Sequence, residues 1–271
     1  MATPADKLEQ GAAVLYDVSD HVATITFNRP DQQNTISGPM LASLTEYLLA
    51  ADADQDVRAI VIIGSGRFFC AGLDLRGSDI TSGLSKQNSS ANNLDLRNTP
   101  PTVLHNLDTP TICALNGSAA GYGMDLALGC DIRLMADSAK LAAAFTARGV
   151  VPESGGTWIL PRLLGWSKAA EIIFTGRTLL ADECESLGLV SHVVPADEIA
   201  QTARDLALEI SANAPMAVQA SKRMMRMGMN ETFNDHIHHV FLQLLPLFRS
   251  EDFKEGMTAF MEKRKAEFKG R

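Results

Sequence analysis

The chain has 271 residues, 46% of them hydrophobic and 21% charged, with a formal net charge of −8. This is the composition of a globular chain and excludes disordered, collagen-like and low-complexity classes. The acidic balance argues against nucleic acid or an anionic membrane as partner, and no apolar run approaches the ~20 residues of a membrane span.

Residues 1–10 alternate small and charged side chains without the apolar core of a secretory signal, so a cytoplasmic location is expected. Residues 14–17 and 22–28 read as two strands joined by a polar turn. Ser37 is a candidate N-cap for a helix carrying Met40, Leu41, Leu44, Leu48 and Leu49 at helical spacing. Continuous apolar runs at 59–64 and 111–115, a theme repeated at 132–136 and 190–194, read as strands covered on both faces. Helical patterns lie between them, which indicates an α/β architecture. Residues 77–98 hold five Ser and four Asn without periodicity and read as an excursion near a ligand or as surface loop. From residue 198 the chain reads as helices at 198–213, 216–229, 231–248 and 251–268, with a break at Asn213-Ala214-Pro215. The expected organisation is an α/β core at 1–197 followed by a helical region at 198–271. Cys70, Cys113, Cys130 and Cys184 form no CxxC pair and are expected to be reduced, buried thiols.

Three segments could carry chemistry. Gly64 to Leu75 (GSGRFFCAGLDL) follows a strand, and its glycines allow backbone N–H groups to approach a ligand. It is no phosphate-binding P-loop, and alone it reads equally as a structural strand–turn. Asn116 to Leu126 (NGSAAGYGMDL) places three glycines between a strand and a helix start, where free N–H groups can hold a phosphate or an oxyanion. A dinucleotide-binding dehydrogenase is the rival reading. It fails because Tyr16, Tyr47 and Tyr122 are followed four residues on by Asp20, Ala51 and Leu126, never by lysine. In the third segment, Arg148 to Thr157 (RGVVPESGGT), Glu153 is either a helix N-terminal charge or a catalytic carboxylate with a raised pKa. No G-x-S-x-G nucleophile elbow occurs. His236, His238 and His239 do not share one helix face, so no metal site is expected. Met224, Met225, Met227 and Met229 read as core or interface packing.

Taken together, Phe27-Asn28-Arg29-Pro30 with Asn34, Phe69 to Leu75, Asn116 to Asp131, Thr175-Gly176-Arg177 and the run 181–194 resemble the crotonase superfamily, the enoyl-CoA hydratases and isomerases. The resemblance runs from about Val14 to Phe268. It implies a crotonase-type α/β spiral of ββα units with a C-terminal helical trimerisation region, an acyl-CoA thioester substrate, and no cofactor beyond the CoA of that substrate. It further implies a homotrimer or dimer of trimers.

Carried over residue by residue, the resemblance places the two oxyanion-hole N–H donors at Leu73 and Tyr122. Glycine is usual at the second position, so Tyr122 is a departure. Arg29, Ala71, Gly72, Asp74, Leu75, Gly121 and Gly123 are implied to contact substrate or CoA. Where the hydratases carry their two glutamates, this chain has Asp125 and Phe145. Glu153 stands where the double-bond isomerases keep their acid, and with Asp125 it resembles part of the dienoyl-CoA isomerase set. The implied catalytic residues are therefore Glu153 as principal base and Asp125 as second acid or orienter. Hydration needs one group to activate water and another to protonate carbon, whereas one carboxylate suffices to move a double bond. Isomerisation leads, hydration of a 2-enoyl-CoA is the alternative, and a non-catalytic CoA-thioester-binding relative is a third. Lys263, Arg264, Lys265 and Lys269 form a basic end that suits a helix C-terminus and, by the resemblance, CoA phosphates.

Overall fold

The computed structural model describes residues 12–74 and 99–271. β1 (Val14–Ser19) and β2 (Val22–Phe27) form an antiparallel hairpin turned by Asp20 and His21, both at positive φ. This is the backbone twist that a two-residue hairpin loop favours. One pattern then repeats. β3 (Ala59–Gly64) is followed by the short β4 (Phe68–Cys70), β5 (Thr111–Leu115) by β6 (Ser118–Ala120), and β7 (Ile132–Ala136) by β8 (Lys140–Ala142). The first strand of each pair joins a six-stranded sheet, the second a four-stranded one. β9 (Thr178–Leu180) and β10 (His192–Val194) complete them, in the orders β1-β2-β3-β5-β7-β10 and β4-β6-β8-β9. Apart from the β1–β2 and β8–β9 pairs, neighbouring strands run parallel. The chain thus spirals as expected, each turn adding one strand to each sheet.

The helices are α1 (Gly38–Ala53), α2 (Pro100–Asn106), α3 (Tyr122–Gly129), α4 (Gly156–Leu164), α5 (Trp166–Thr175), α6 (Ala181–Ser186) and α7 (Ile199–Ser211). They are followed by α8 (Pro215–Gly228), α9 (Phe233–Leu247) and α10 (Glu251–Glu262). The apolar strand runs have a direct cause. In β3, Ile60 and Ile62 face the core shared with α1, while Ala59 and Val61 face Ala203 and Ala207 of α7. Alternation therefore persists in direction although both faces are apolar. Among the described residues no helix is long and apolar enough to cross a membrane.

Two sequence expectations change. The last helix was expected to reach residue 268; it ends at Glu262, with Lys263 left-handed at φ 55°. The buried carboxylate of Asp252 takes the N–H groups of Lys269 and Gly270 at 2.7 and 2.9 Å, and Arg58 Nη2 donates to Phe268 O at 2.8 Å. Those bonds return the tail to the body. The basic residues Lys263, Arg264 and Lys265 therefore sit at and just past the C-terminus of α10, and Arg264 is held by Glu255 and Glu262. The run 190–194 is strand only over His192–Val194.

Candidate active site

β4 and β6 pair in parallel, so the turns that leave them lie side by side. The first turn is Ala71-Gly72-Leu73, the second Gly121-Tyr122. Gly72 has φ 102°, and a Cβ there would lie 2.9 Å from Ala120 O and 3.9 Å from Tyr122 N. Gly123 packs so closely on Cys70 that a Cβ would overlap its carbonyl oxygen. Only glycine permits this approach at either position.

The Leu73 N–H has a fixed direction. Leu73 forms a parallel bridge with Ile36 in which the flanking peptides make the bonds: Ile36 N–H donates to Gly72 O at 2.8 Å and Asp74 N–H to Ile36 O at 2.9 Å. The Leu73 N–H therefore points away from Ile36. Tyr122 is the first residue of α3, so its N–H has no helical acceptor, while Gly121 N–H donates to Ala142 O at 3.0 Å. Two N–H groups on adjacent turns can thus act on one oxygen, helped by the positive end of α3.

Two asparagines hold the first turn in place. Asn34, with no exposed surface, donates to Ser65 O and Phe68 O at 2.9 and 2.7 Å and accepts from Arg29 N–H at 2.8 Å. Asn116 accepts from Gly64 N–H at 2.9 Å and donates to Gly66 O at 3.0 Å. Asn34 appeared in the sequence only as part of a signature. Asn116 gave one usable signal, an amide at the end of an apolar strand beside glycine, where it must find partners.

Both turns open on a cavity of about 90 Å³. Of the residues expected from sequence, Ala71, Gly72, Leu73, Gly121, Tyr122 and Glu153 line it together. Phe145, Arg148 and Val150 complete the wall that carries Glu153. Arg29, Asp74, Gly123 and Asp125 do not line it. Arg29 Nη2 and Asp74 Oδ2 form a 2.9 Å ion pair that ties the first turn to the segment after β2, and Gly123 supports α3 from behind. Leu75 and the 77–98 segment lie outside the described residues.

Asp125 is 1% exposed. Its Oδ2 accepts from Gly156 N–H at 3.1 Å, at the start of α4, and its Oδ1 has no partner among the described residues. Burial pushes its pKa up to about 7, opposed by the Gly156 N–H and by the adjacent Ser154, with the nearby Glu153 charge adding to the rise. Burial, with the Glu153 charge second, also raises the Tyr122 phenol, which stays protonated at working pH. Glu153 is exposed at the cavity. Among the described residues no group of His, Cys, Asp and Glu side chains could hold a metal ion.

Comparison with known proteins agrees with this geometry. The family profile described as enoyl-CoA hydratase/isomerase matches residues 17–271. YngF of Bacillus subtilis (strain 168), named for the same hydratase/isomerase group, is 36% identical over 265 residues, covering 96% of this chain and 99% of its own. The 1,2-epoxyphenylacetyl-CoA isomerase of Escherichia coli (strain K12) is 33% identical over 258 residues, covering 95% and 98%. A crystal structure of an enoyl-CoA hydratase from Bacillus anthracis matches with a TM-score of 0.86 at 31% identity, covering 96% of this chain and 100% of that one. A spiral of paired strands with two facing glycine turns and a match over nearly the whole length lead to one conclusion: the chain belongs to the enoyl-CoA hydratase/isomerase family, within the crotonase superfamily.

Proposed function

We propose that the protein is an enoyl-CoA isomerase that shifts a double bond in an acyl-CoA thioester, with no cofactor beyond the substrate's own CoA. One observation carries the reading: Glu153 is the sole carboxylate among the residues lining the cavity, Phe145 is apolar, and Asp125 is sealed behind the wall. The Leu73 and Tyr122 N–H groups hold the thioester oxygen. Glu153 removes a proton from C2 of a 3-enoyl-CoA, the electron pair moves onto the thioester oxygen as a dienolate, and Glu153 returns the proton to C4. The product is the 2-enoyl-CoA. Each oxyanion donor is worth ~2.7–4 kcal/mol of barrier in comparable sites.

Hydration of a 2-enoyl-CoA is the second reading, favoured by Asp125: a carboxyl with a pKa of about 7 near Glu153 is suited to sharing proton work. Incubation with 2-enoyl-, 3-enoyl- and dienoyl-CoA thioesters, followed by product analysis, separates the two. Isomerisation yields the conjugated 2-enoyl-CoA from the 3-enoyl-CoA; 3-hydroxyacyl-CoA as the main product overturns it. Binding of all these thioesters without turnover leaves the non-catalytic reading. The four buried free thiols suit the reducing cytoplasm, and the uncovered apolar faces of α9 and α10 suit a trimer or dimer of trimers.

A further inference from the structure

We propose that Arg148 is a specificity-determining residue, which makes this site select acyl-CoA thioesters whose acyl chain carries a carboxylate remote from the thioester. The inference rests on the acyl-CoA reading above but not on which reaction follows.

Arg148 and Glu153 are the charged side chains lining the cavity; the rest of the lining is Ala, Gly, Leu, Tyr, Phe and Val. Arg148 ends a short 3-10 turn, Thr146–Arg148, just before Gly149 at φ 74°. Its Nη1 donates back to Ala144 O at 2.8 Å, which lays the guanidinium along the cavity wall. A guanidinium has five N–H donors, so one carbonyl leaves most of its capacity open. Among the described residues Arg148 forms no ion pair with Glu153 or with any other carboxylate.

The position assigns Arg148 to the acyl side. Phe145, Arg148, Val150 and Glu153 come from one segment and form one wall. Glu153 is the proton carrier on that wall, so whatever lies against it is the reacting part of the substrate rather than the CoA moiety. Arg148 is exposed at the cavity, and a plain hydrocarbon chain offers its cation no partner. A carboxylate on the chain instead meets the planar donor fork in two charge-assisted hydrogen bonds. The chain length is then set by the span from the oxyanion turns to Arg148.

Calorimetric titration with saturated thioesters tests this without depending on turnover. Glutaryl-, adipyl- and suberyl-CoA are compared with pentanoyl-, hexanoyl- and octanoyl-CoA, and free CoA is included. The expected result is that the best dicarboxylic thioester binds wild-type protein at least ~10-fold tighter than its neutral partner, consistent with a charge-assisted pair. In Arg148→Met this ratio falls below ~2, and Arg148→Lys recovers part of it, as a point charge without the fork should. Equal affinities in the wild-type protein overturn the proposal without any variant. So does an equal loss on both series and on free CoA in Arg148→Met, which assigns Arg148 to a CoA phosphate. If no thioester binds the wild-type protein, the acyl-CoA reading itself fails and this inference falls with it. If all thioesters bind alike, only this inference fails.

Discussion

Asp125 and Glu153 are both carboxylates, but their surroundings divide the work. Glu153 is exposed at the cavity, whereas Asp125 is buried against Gly156, where a Cβ would collide with its Oδ1. Glu153→Gln keeps the shape and removes the base, so turnover should fall ~10²–10⁴-fold while thioester binding persists; near-normal turnover would remove Glu153 from the mechanism. Asp125 gives a pH prediction. Its folded pKa of about 7 lies above the unfolded value of 3.8, so the fold prefers the neutral form. The stability it adds is complete below about 4 and is lost as pH rises through about 7, by at most about 4 kcal/mol. Asp125→Asn mimics the neutral form. Its Tm relative to wild type should therefore rise from pH 5 to pH 8, and thermal melts at the two pH values check this. Tyr122→Phe should retain most activity, because the backbone N–H and not the phenol is proposed to act; loss of turnover with folding and CoA affinity intact would show the hydroxyl to be chemical.

At the scale of elements, the site exists because β4 and β6 pair and bring two turns together. Each of these strands is only three residues long. Neither has an alternating pattern, and both have glycine within two residues on each side, so the sequence shows turns there and not strands. The long runs at β3, β5 and β7 are legible to the residue because both faces are covered and nearly every position is apolar, the buried Thr111 and Arg133 being the polar exceptions. The first turn depends on Asn34. Asn34→Ala removes three hydrogen bonds, from the Arg29 N–H and to the Ser65 and Phe68 carbonyls, which should cost ~2–4 kcal/mol of stability. A loose turn should also lower kcat more than it raises KM. Urea unfolding and steady-state kinetics measure both effects, and an unchanged unfolding midpoint would show that the turn holds itself.

At the scale of the molecule, the C-terminal helices are incompletely covered. Among the described residues α9 buries none, and Phe233, Ile237, Phe241, Leu242 and Phe260 stand exposed, Phe260 at 81%. Apolar surface of this extent fits the proposed trimer or dimer of trimers. Light scattering should therefore report three or six chains, and Phe241→Asp with Leu242→Asp should shift the mass downward. A stable, active single chain refutes the assembly. α7 differs from these helices, since Ile199, Ala203 and Ala207 pack on the large sheet.

The sequence by itself determined the α/β class, the long strands, the helical C-terminal region, the order of the family's motifs and the presence of Glu153 in place of an acid at Phe145. These are local matters: apolar runs, helical spacing and residue identity are all properties of contiguous chain. Only the tertiary structure decided that Leu73, Tyr122 and Glu153 share one cavity, that Asp125 is sealed away from it, that Arg29 and Asp74 pair with each other, and that Arg148 lines the same cavity. The reason is physical. Burial, hydrogen-bond partnership and the direction of an N–H are set by neighbours distant along the chain, and those neighbours meet only when the spiral stacks its turns.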